Sequence, residues 1–356
     1  MKKFFKYVSR VFFFLILMIA IYLTTVILIG FFTDYHPDEI SELEVYGTQK
    51  QTDLADTTFT FLSWNIGYAG LGAEMDFFYD GGKMIRPTSD LVEKYTLGIL
   101  DFLEANDSIN FVLLQEVDRN SSRTDLQDEL RLIQDLLTSH FSSFGYNYKV
   151  RFVPIPLANP LAKVEMGQAI FSKYLPVSSL RYSFYSAYAW PKRLFMLDRC
   201  FIVSRFQLSN GKELVVINTH NSAYDSGGKL RNIEMPLIRN LMLDEYHKGN
   251  YVVAGGDWNQ NPPNYEPEKF ESKYATFREE TLDRELFPDD WKIAFDPQKP
   301  TNRKINTPFI PGETEVTVID YFILSPNIEL KKIKALPLNF QYSDHEPVFL
   351  TVKIKD

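Results

Sequence analysis

Cysteine is almost missing from this chain. Cys200 is the single one in 356 residues, which excludes an intrachain disulfide framework, and with it any Cys-rich zinc or iron–sulfur site. Glycine and proline, at 17 and 19 residues, are too sparse for a collagen-like or mucin-like chain. Positive charge is also short, 38 Lys and Arg against 46 Asp and Glu. After residue 32 no further uncharged run of membrane-spanning length occurs. What is present is 45% apolar and 24% charged residues over a length that can bury a large core, the composition of a folded globular protein. The aromatic share of 15% is high and suits packing, sugar contact or lipid contact without choosing among them.

Residues Val11–Phe32 form a run of 22 residues without a charge. As a helix it would span about 33 Å, against a hydrocarbon core of about 30 Å. Lys2, Lys3, Lys6 and Arg10 precede it, whereas Asp34, Asp38 and Glu39 follow. That asymmetry predicts a single-pass anchor in the cell membrane, with residues 1–10 a cytoplasmic basic tail, 11–32 the span, and everything after it extracytoplasmic. A cleaved signal peptide is the alternative; the run exceeds the roughly 7–15 apolar residues usual there and no small-x-small site closes it. Beyond residue 32 the chain carries 34 basic and 46 acidic residues, a net charge of −12. Such a surface repels polyanions unless a basic cleft or a bound cation intervenes, which disfavours generic coating of nucleic acid.

Residues 33–56 are polar and read as a stalk. From Thr58 the pattern becomes strand, loop and helix in turn. Strands are expected at Thr58–Trp64, Phe111–Leu114, Tyr146–Phe152, Ala169–Ser172, Ser178–Phe184, Cys200–Leu208, Glu213–Asn218, Tyr251–Gly255, Val316–Leu324 and Val348–Ile354, with Asn210-Gly211 a tight hairpin turn. Apolar residues at helical spacing mark helices over Leu91–Leu103, Leu126–Leu137 and Ile233–Tyr246, with Pro236 the alternative start of the last. Residues 260–300 are polar and Pro-rich, an expected surface excursion. Antiparallel strands mixed with covering helices predict packed sheets, and the absence of a linker predicts one catalytic domain over 57–356.

Six apolar strands run into short polar clusters: Trp64-Asn65, Gln115-Glu116, Asn218-Thr219-His220, Gly256-Asp257-Trp258-Asn259, Ile319-Asp320 and Ser343-Asp344-His345-Glu346-Pro347. Any one of these is explained by turn chemistry or by a structural histidine. Six together are not, because loops held by rigid strands are where reactive groups are placed accurately. Oxygen ligands such as Glu116 and Asp344 suit Mg²⁺, and two distant histidines are a poor zinc set. A carboxylate such as Asp320 would fix the tautomer of a histidine and favour its charged form. Asp257 can take a proton from water or orient it, whereas Asn259 acts only by hydrogen bonding.

In their order and spacing these motifs resemble the endonuclease/exonuclease/phosphatase superfamily, which includes pancreatic-type deoxyribonuclease, abasic-site endonucleases, inositol-polyphosphate 5-phosphatases and sphingomyelinases. The resemblance covers about residues 60–355. It implies an α+β, four-layered α/β/β/α sandwich with two mixed, mainly antiparallel sheets face to face. It implies Glu116 as the principal Mg²⁺ ligand (Mn²⁺ a possible substitute), with Asn65 and Asp344 as ligands or water-mediated supports. Asp257 and Asn259 would flank the attacking water, Asp320 would orient His345, and His220 would meet a phosphate oxygen or the leaving group. Glu165 is one option for an acidic partner of His220, an ordinary surface residue the other. Asp118 and Arg119 follow Glu116 closely enough to shape the same rim.

Arg199 either meets phosphate or forms a structural ion pair. A local echo, Tyr68 with Asp80-Gly81-Gly82-Lys83 and Tyr224 with Asp225-Ser226-Gly227-Gly228-Lys229, follows Asn65 and His220. Glycines allow consecutive N–H groups to cradle an anion, so Lys83 and Lys229 are expected to grip a second substrate charge; flexible turns are the alternative. The aromatic segment Arg181–Trp190 either touches a membrane or packs inside the sandwich. The expected activity is an outward-facing Mg²⁺-dependent phosphoesterase acting on a lipid headgroup or small organic phosphate. A nuclease of the same fold, with nucleic acid as the less favoured partner, and a non-catalytic surface binding protein are the alternatives.

Overall fold

The computed structural model describes residues 1–48, 54, 57–184, 188–223, 228–267, 270 and 275–355. The chain opens with helix α1 (Lys2–Phe32) and two short strands, β1 (Ile40–Glu42) and β2 (Val45–Tyr46). There follow β3 (Thr58–Asn65), α2 (Ser89–Ala105), β4 (Phe111–Asp118), α3 (Glu129–Leu136), β5 (Phe141–Val153), β6 (Ala162–Ser172) and β7 (Ser178–Ser183). The second half holds β8 (Cys200–Gln207), β9 (Glu213–His220), α4 (Arg231–His247), β10 (Tyr251–Asp257), β11 (Ala275–Thr276), β12 (Lys292–Ala294) and β13 (Asn302–Arg303). Last come β14 (Glu315–Thr317), β15 (Asp320–Leu324), β16 (Ile328–Ala335) and β17 (Val348–Ile354).

Two seven-stranded mixed sheets result, ordered β1-β7-β8-β9-β10-β15-β12 and β16-β17-β3-β4-β6-β5-β2. The period of two along each strand assigns its side chains to two different cores. Phe59, Phe61, Phe111 and Leu113 face across to Ile202, Phe206, Val216, Val253 and Phe322 of the other sheet. Their neighbours Leu62, Trp64, Val112 and Leu114 point outward onto Tyr95, Ile99 and Leu103 of α2 and Leu130 and Ile133 of α3. On the far side Val203, Val215, Ile217 and Val252 meet Met235, Ile238 and Met242 of α4. Both sheets are therefore buried on both faces, giving the expected α/β/β/α sandwich.

Burial of a charged group ties α4 to its sheet. Glu245 accepts both Nη atoms of Arg205, at 2.7 and 2.8 Å, together with Lys248 Nζ and Asn250 Nδ2. These donors, Arg205 foremost, hold its carboxyl down to about 2. The contribution is complete above the ordinary value of 4.5 and is lost as pH falls towards 2. Glu245→Gln leaves Arg205 with Glu213 as its remaining counterion and is expected to destabilise the domain by about 2 kcal/mol at neutral pH, the scale of charge-assisted hydrogen bonds. Urea unfolding followed by circular dichroism checks it, and the difference from the parent should shrink in strong acid.

Several sequence expectations change in detail. Residues 260–300 are not a surface excursion: Leu282, Phe287 and Trp291 are buried, and β12 extends a sheet edge. The expected strand Val316–Leu324 is two strands in different sheets, because the chain turns at Val318-Ile319 to deliver Asp320 to β15. Helix α4 begins at Arg231 and runs through Pro236, which lies past the first turn and leaves the Asn232 carbonyl without its helical N–H donor. β16 was not foreseen, since its exposed lysines mask the alternation. Of the segment expected as a stalk, β1 pairs with β7 and β2 with β5, so it covers one open edge of each sheet. Helix α1 is long and apolar enough to cross a membrane, and almost all of it is unburied.

Candidate active site

Strand pairing assembles the site. β3 and β4 run parallel and end together, opposing Asn65 to Gln115. β9 and β10 also run parallel, placing His220 opposite Asp257, and antiparallel β15 places Asp320 opposite Asp257 on its other side. Gly256 is required here: its φ is +147°, and a Cβ would lie 2.0 Å from the Thr219 carbonyl oxygen. The loop before β17 brings in the rest, because Val348 pairs with Ser63 and Ser343 Oγ donates to the Asn65 carbonyl at 2.8 Å. Gly67 leaves room for it, since a Cβ there would sit 3.0 Å from Asp344 Oδ1 and from Ser343 Oγ. Glu116 has φ +54°, in the stretch where the β4–β6 register shifts between Leu114 and Val117. A bulge re-aims a side chain in this way, and here it aims Glu116 at Asn65.

Asn65 is the hub. Its Nδ2 donates to Glu116 Oε1 at 3.2 Å and Asp257 Oδ2 at 3.1 Å, and lies 3.4 Å from His345 Nε2. His345 Nδ1 bonds Asp320 Oδ2 at 2.8 Å, and its Nε2 is 3.6 Å from Asp257 Oδ2. His220 Nε2 lies 3.5 Å from Asp257 Oδ2 and 3.8 Å from Glu116 Oε1. Asp257 Oδ1 accepts the Asn259 backbone N–H at 2.9 Å.

The two histidines are driven to opposite states. Burial alone would lower His345, but the carboxylates of Asp320, Asp257 and Asp344 outweigh it and hold it well above its usual value. Burial, Arg199 and His345 push His220 well below the same value. Burial raises Asp257 to about 6 against the pull of His345, and Asp344 likewise to about 6. Burial raises Glu116 too, although Arg123 opposes it. The hollow is thus short of positive charge.

A divalent cation fits that deficit. Ligand atoms of Asp257, Asp320 and His345 lie within 4.8 Å of one another, and Asp320 Oδ1 is buried without a protein partner. The oxygen-rich set of Asn65, Glu116 and Asp344 suits a hard cation equally well.

Other expected residues take different places. Arg199 donates to the carbonyls of His220 and Asn221 at 3.3 and 2.8 Å, clamping their backbone. Glu165 pairs with Lys163, and Asp257 and Glu116 are the carboxylates beside His220. Arg119 is bidentate to Asp128, and Asp118 is buried in a pair with Arg123. Asn259 Nδ2 donates to the Asn221 carbonyl at 2.9 Å. Lys83 and Lys229 are solvent-exposed. Tyr224, Asp225, Ser226 and Gly227 of the echo, and Tyr185, Ser186 and Ala187 of the aromatic segment, lie outside the described residues.

Two participants escaped the sequence reading. Asn302 Nδ2 is 3.0 Å from His345 Nε2, yet it sits after a Pro-rich stretch with no motif of its own. Arg123 Cζ lies 3.4 Å from the centre of the Tyr68 ring, and its guanidinium is the leading charge acting on Glu116; only its burial reveals it.

Fold and site define a metal-dependent hydrolase of ester bonds. The sequence profile of the Endonuclease/Exonuclease/phosphatase family matches residues 62–345, and the chain belongs to that family. No curated protein matches the sequence significantly. Among solved structures it is similar to an endonuclease/exonuclease/phosphatase from Beutenbergia cavernae (16% identity, TM-score 0.55, 84% of this chain and 72% of that one). It is also similar to D. rerio TDP2 complexed with single-strand DNA product (12%, 0.53, 84% and 100%). The human Nocturnin catalytic domain with bound sulfate is a third (16%, 0.51, 88% and 97%).

Proposed function

We propose that the protein is a Mg²⁺-dependent phosphodiesterase that cuts nucleotide phosphodiesters, in DNA or RNA, while tethered to a membrane by α1 with its catalytic domain outside. The observation that carries the chemistry is the convergence of His220 Nε2 and His345 Nε2 on one Asp257 oxygen, at 3.5 and 3.6 Å, with burial and neighbouring charge pushing the two rings in opposite directions. Similarity to a DNA-bound relative supports the substrate.

Asn65, Glu116 and Asp344 would hold the ion, because in the other cluster Asp320 Oδ2 and His345 Nδ1 already bond each other. When bound, Mg²⁺ would neutralise phosphoryl oxygens and acidify water. Asp257, raised to about 6, is matched to accept a proton from an attacking water near neutral pH. The Asn259 N–H and Asn65 Nδ2 hold its two oxygens in place. Asp320 fixes the His345 ring so that Nε2–H points into the hollow towards a phosphoryl oxygen. His220, neutral, can accept or return a proton at Nε2 beside the same carboxylate.

The apolar helix favours a second reading, a phospholipid headgroup as substrate, because a tether concentrates the enzyme on that surface. Full-length protein in detergent should be assayed with Mg²⁺, Mn²⁺ and EDTA against oligonucleotides, plasmid DNA, phosphatidylcholine and sphingomyelin micelles, and inositol phosphates. EDTA-sensitive cleavage of nucleic acid is expected. Turnover of lipid alone would install the second reading, and turnover of none would overturn the catalytic one. In the same assay Lys83→Ala and Lys229→Ala should each raise KM several-fold with little change in kcat. Unchanged constants for both remove these lysines from the substrate site.

A further inference from the structure

We infer that one face of the catalytic domain, centred on Trp190 and Tyr79, seats in the headgroup layer of the bilayer that α1 crosses. This rests on the reading of α1 as a membrane span.

The chain has four tryptophans. Trp64, Trp258 and Trp291 are at most 2% exposed, whereas Trp190 is 61% exposed. A single exposed aromatic ordinarily means little. Its position gives it meaning. Trp190 precedes a short turn, Lys192–Phe195, and that turn, together with β5, is where the membrane helix meets the domain. A Cβ on Gly30 would lie 3.0 Å from the Phe195 ring and 3.2 Å from Leu194 Cβ, and Arg193 pairs with Asp34 at 3.3 Å. Gly30 stands two residues before the end of the uncharged run. The turn is therefore level with the outer end of the span, where Trp and Tyr are favoured because one end of the ring is apolar and the other can be wet.

The face continues from there to the cleft. Tyr148 donates to the Phe195 carbonyl at 3.0 Å, and Phe195 packs on the same apolar cluster as Phe77 and Phe78. The Phe78 ring lies 4.3 Å from that of Tyr79, which is 52% exposed. These residues belong to the segment that leaves Asn65, so the face adjoins the active-site rim.

Charge agrees with the same occupant. Lys192 is exposed beside Trp190, next to Arg193, which Asp34 already meets, on an otherwise acidic domain, and a lysine at this depth can reach lipid phosphates with its ammonium. The tether leaves little freedom. Residues 33–39 join α1 to β1, and even fully extended they reach about 25 Å. β1 is fastened to β7, and Ser183 Oγ also donates to the Asp38 carbonyl. A domain so held cannot turn this face far from the surface.

Because Trp190 is the sole exposed tryptophan, it reports its own environment. The full chain is reconstituted into phosphatidylcholine vesicles, with and without phosphatidylserine, and lipid brominated high on the acyl chain is introduced. Expected are quenching of a minority of the emission, more of it with phosphatidylserine, and loss of the quenchable fraction in Trp190→Phe. Resistance to alkaline carbonate extraction reports α1 separately. A chain that resists extraction but shows no Trp190-dependent quenching overturns the seated face while sparing the span. A chain that carbonate removes overturns both. In addition, the double variant Trp190→Ala, Tyr79→Ala should weaken turnover of an oligonucleotide anchored to the same vesicles by a cholesteryl group several-fold and leave a soluble aryl phosphodiester unaffected. If that variant instead loses oligonucleotide binding and quenching is absent, the face belongs to nucleic acid and the inference fails.

Discussion

His345→Ala is expected to lower kcat by about 10³-fold, within the range of lost acid–base and charge-stabilising groups. The size follows from what the ring does. His345 presents Nε2 to the hollow beside Asn302, Asn65 and Asp257, whereas the Arg123 guanidinium is consumed by Asp118 and Tyr68. Removing it also leaves Asp320, which is fully buried, without its partner. The variant should therefore lose thermal stability while keeping its far-ultraviolet circular dichroism. Asp320→Asn separates the two effects. It keeps the ring but withdraws the charge that holds it cationic, so the alkaline limb of the rate–pH profile should move to lower pH. An unchanged profile in Asp320→Asn would sink the assignment of Asp320 as the orienting carboxylate.

The second large effect is a linkage between metal and protons. Asp257 and Asp344 both titrate at about 6 in the folded chain, above the ordinary 3.8, chiefly because burial penalises their charge. The folded state therefore binds more protons than the unfolded one between those values. Stability from these groups is present below about 4 and is lost as pH rises through 6. A divalent cation supplies the countercharge that is missing above that point. Mg²⁺ should raise Tm at pH 7.5, by the equivalent of about 2.7 kcal/mol when present at a hundredfold over its Kd, and should do little at pH 5. Glu116→Gln, which removes a carboxylate from the proposed ligand set, should abolish most of the shift without unfolding the chain. Differential scanning calorimetry with and without EDTA reads this independently of any substrate. Equal shifts at both pH values would exclude Glu116 and Asp344 as the metal's seat.

Much of the site was legible because its residues stand at or beside strand termini. Asn65, His220 and Asp257 close β3, β9 and β10 and Glu116 lies two residues before the end of β4, as expected of polar residues after an apolar run. Asp320 instead opens β15 and His345 stands in the loop before β17, so those two were marked by their polar clusters and not by a preceding strand. Asn302 and Arg123 were not legible. Asn302 reaches His345 through an isolated backbone bridge, and Arg123 through burial against Tyr68; neither leaves a local pattern. Trp190 was visible as an aromatic, but only its exposure and its nearness to Gly30 give it a role.

Local chemistry along the chain decided the apolar helix, the two-faced strands and the types of reactive group, since periodicity and side-chain identity are properties of neighbours in sequence. Distances, charge states and the fastening of residues 33–46 to the sheet edges were decided by the tertiary fold alone. They depend on which strands pair and how deeply each group is buried, and those are contacts between residues hundreds of positions apart.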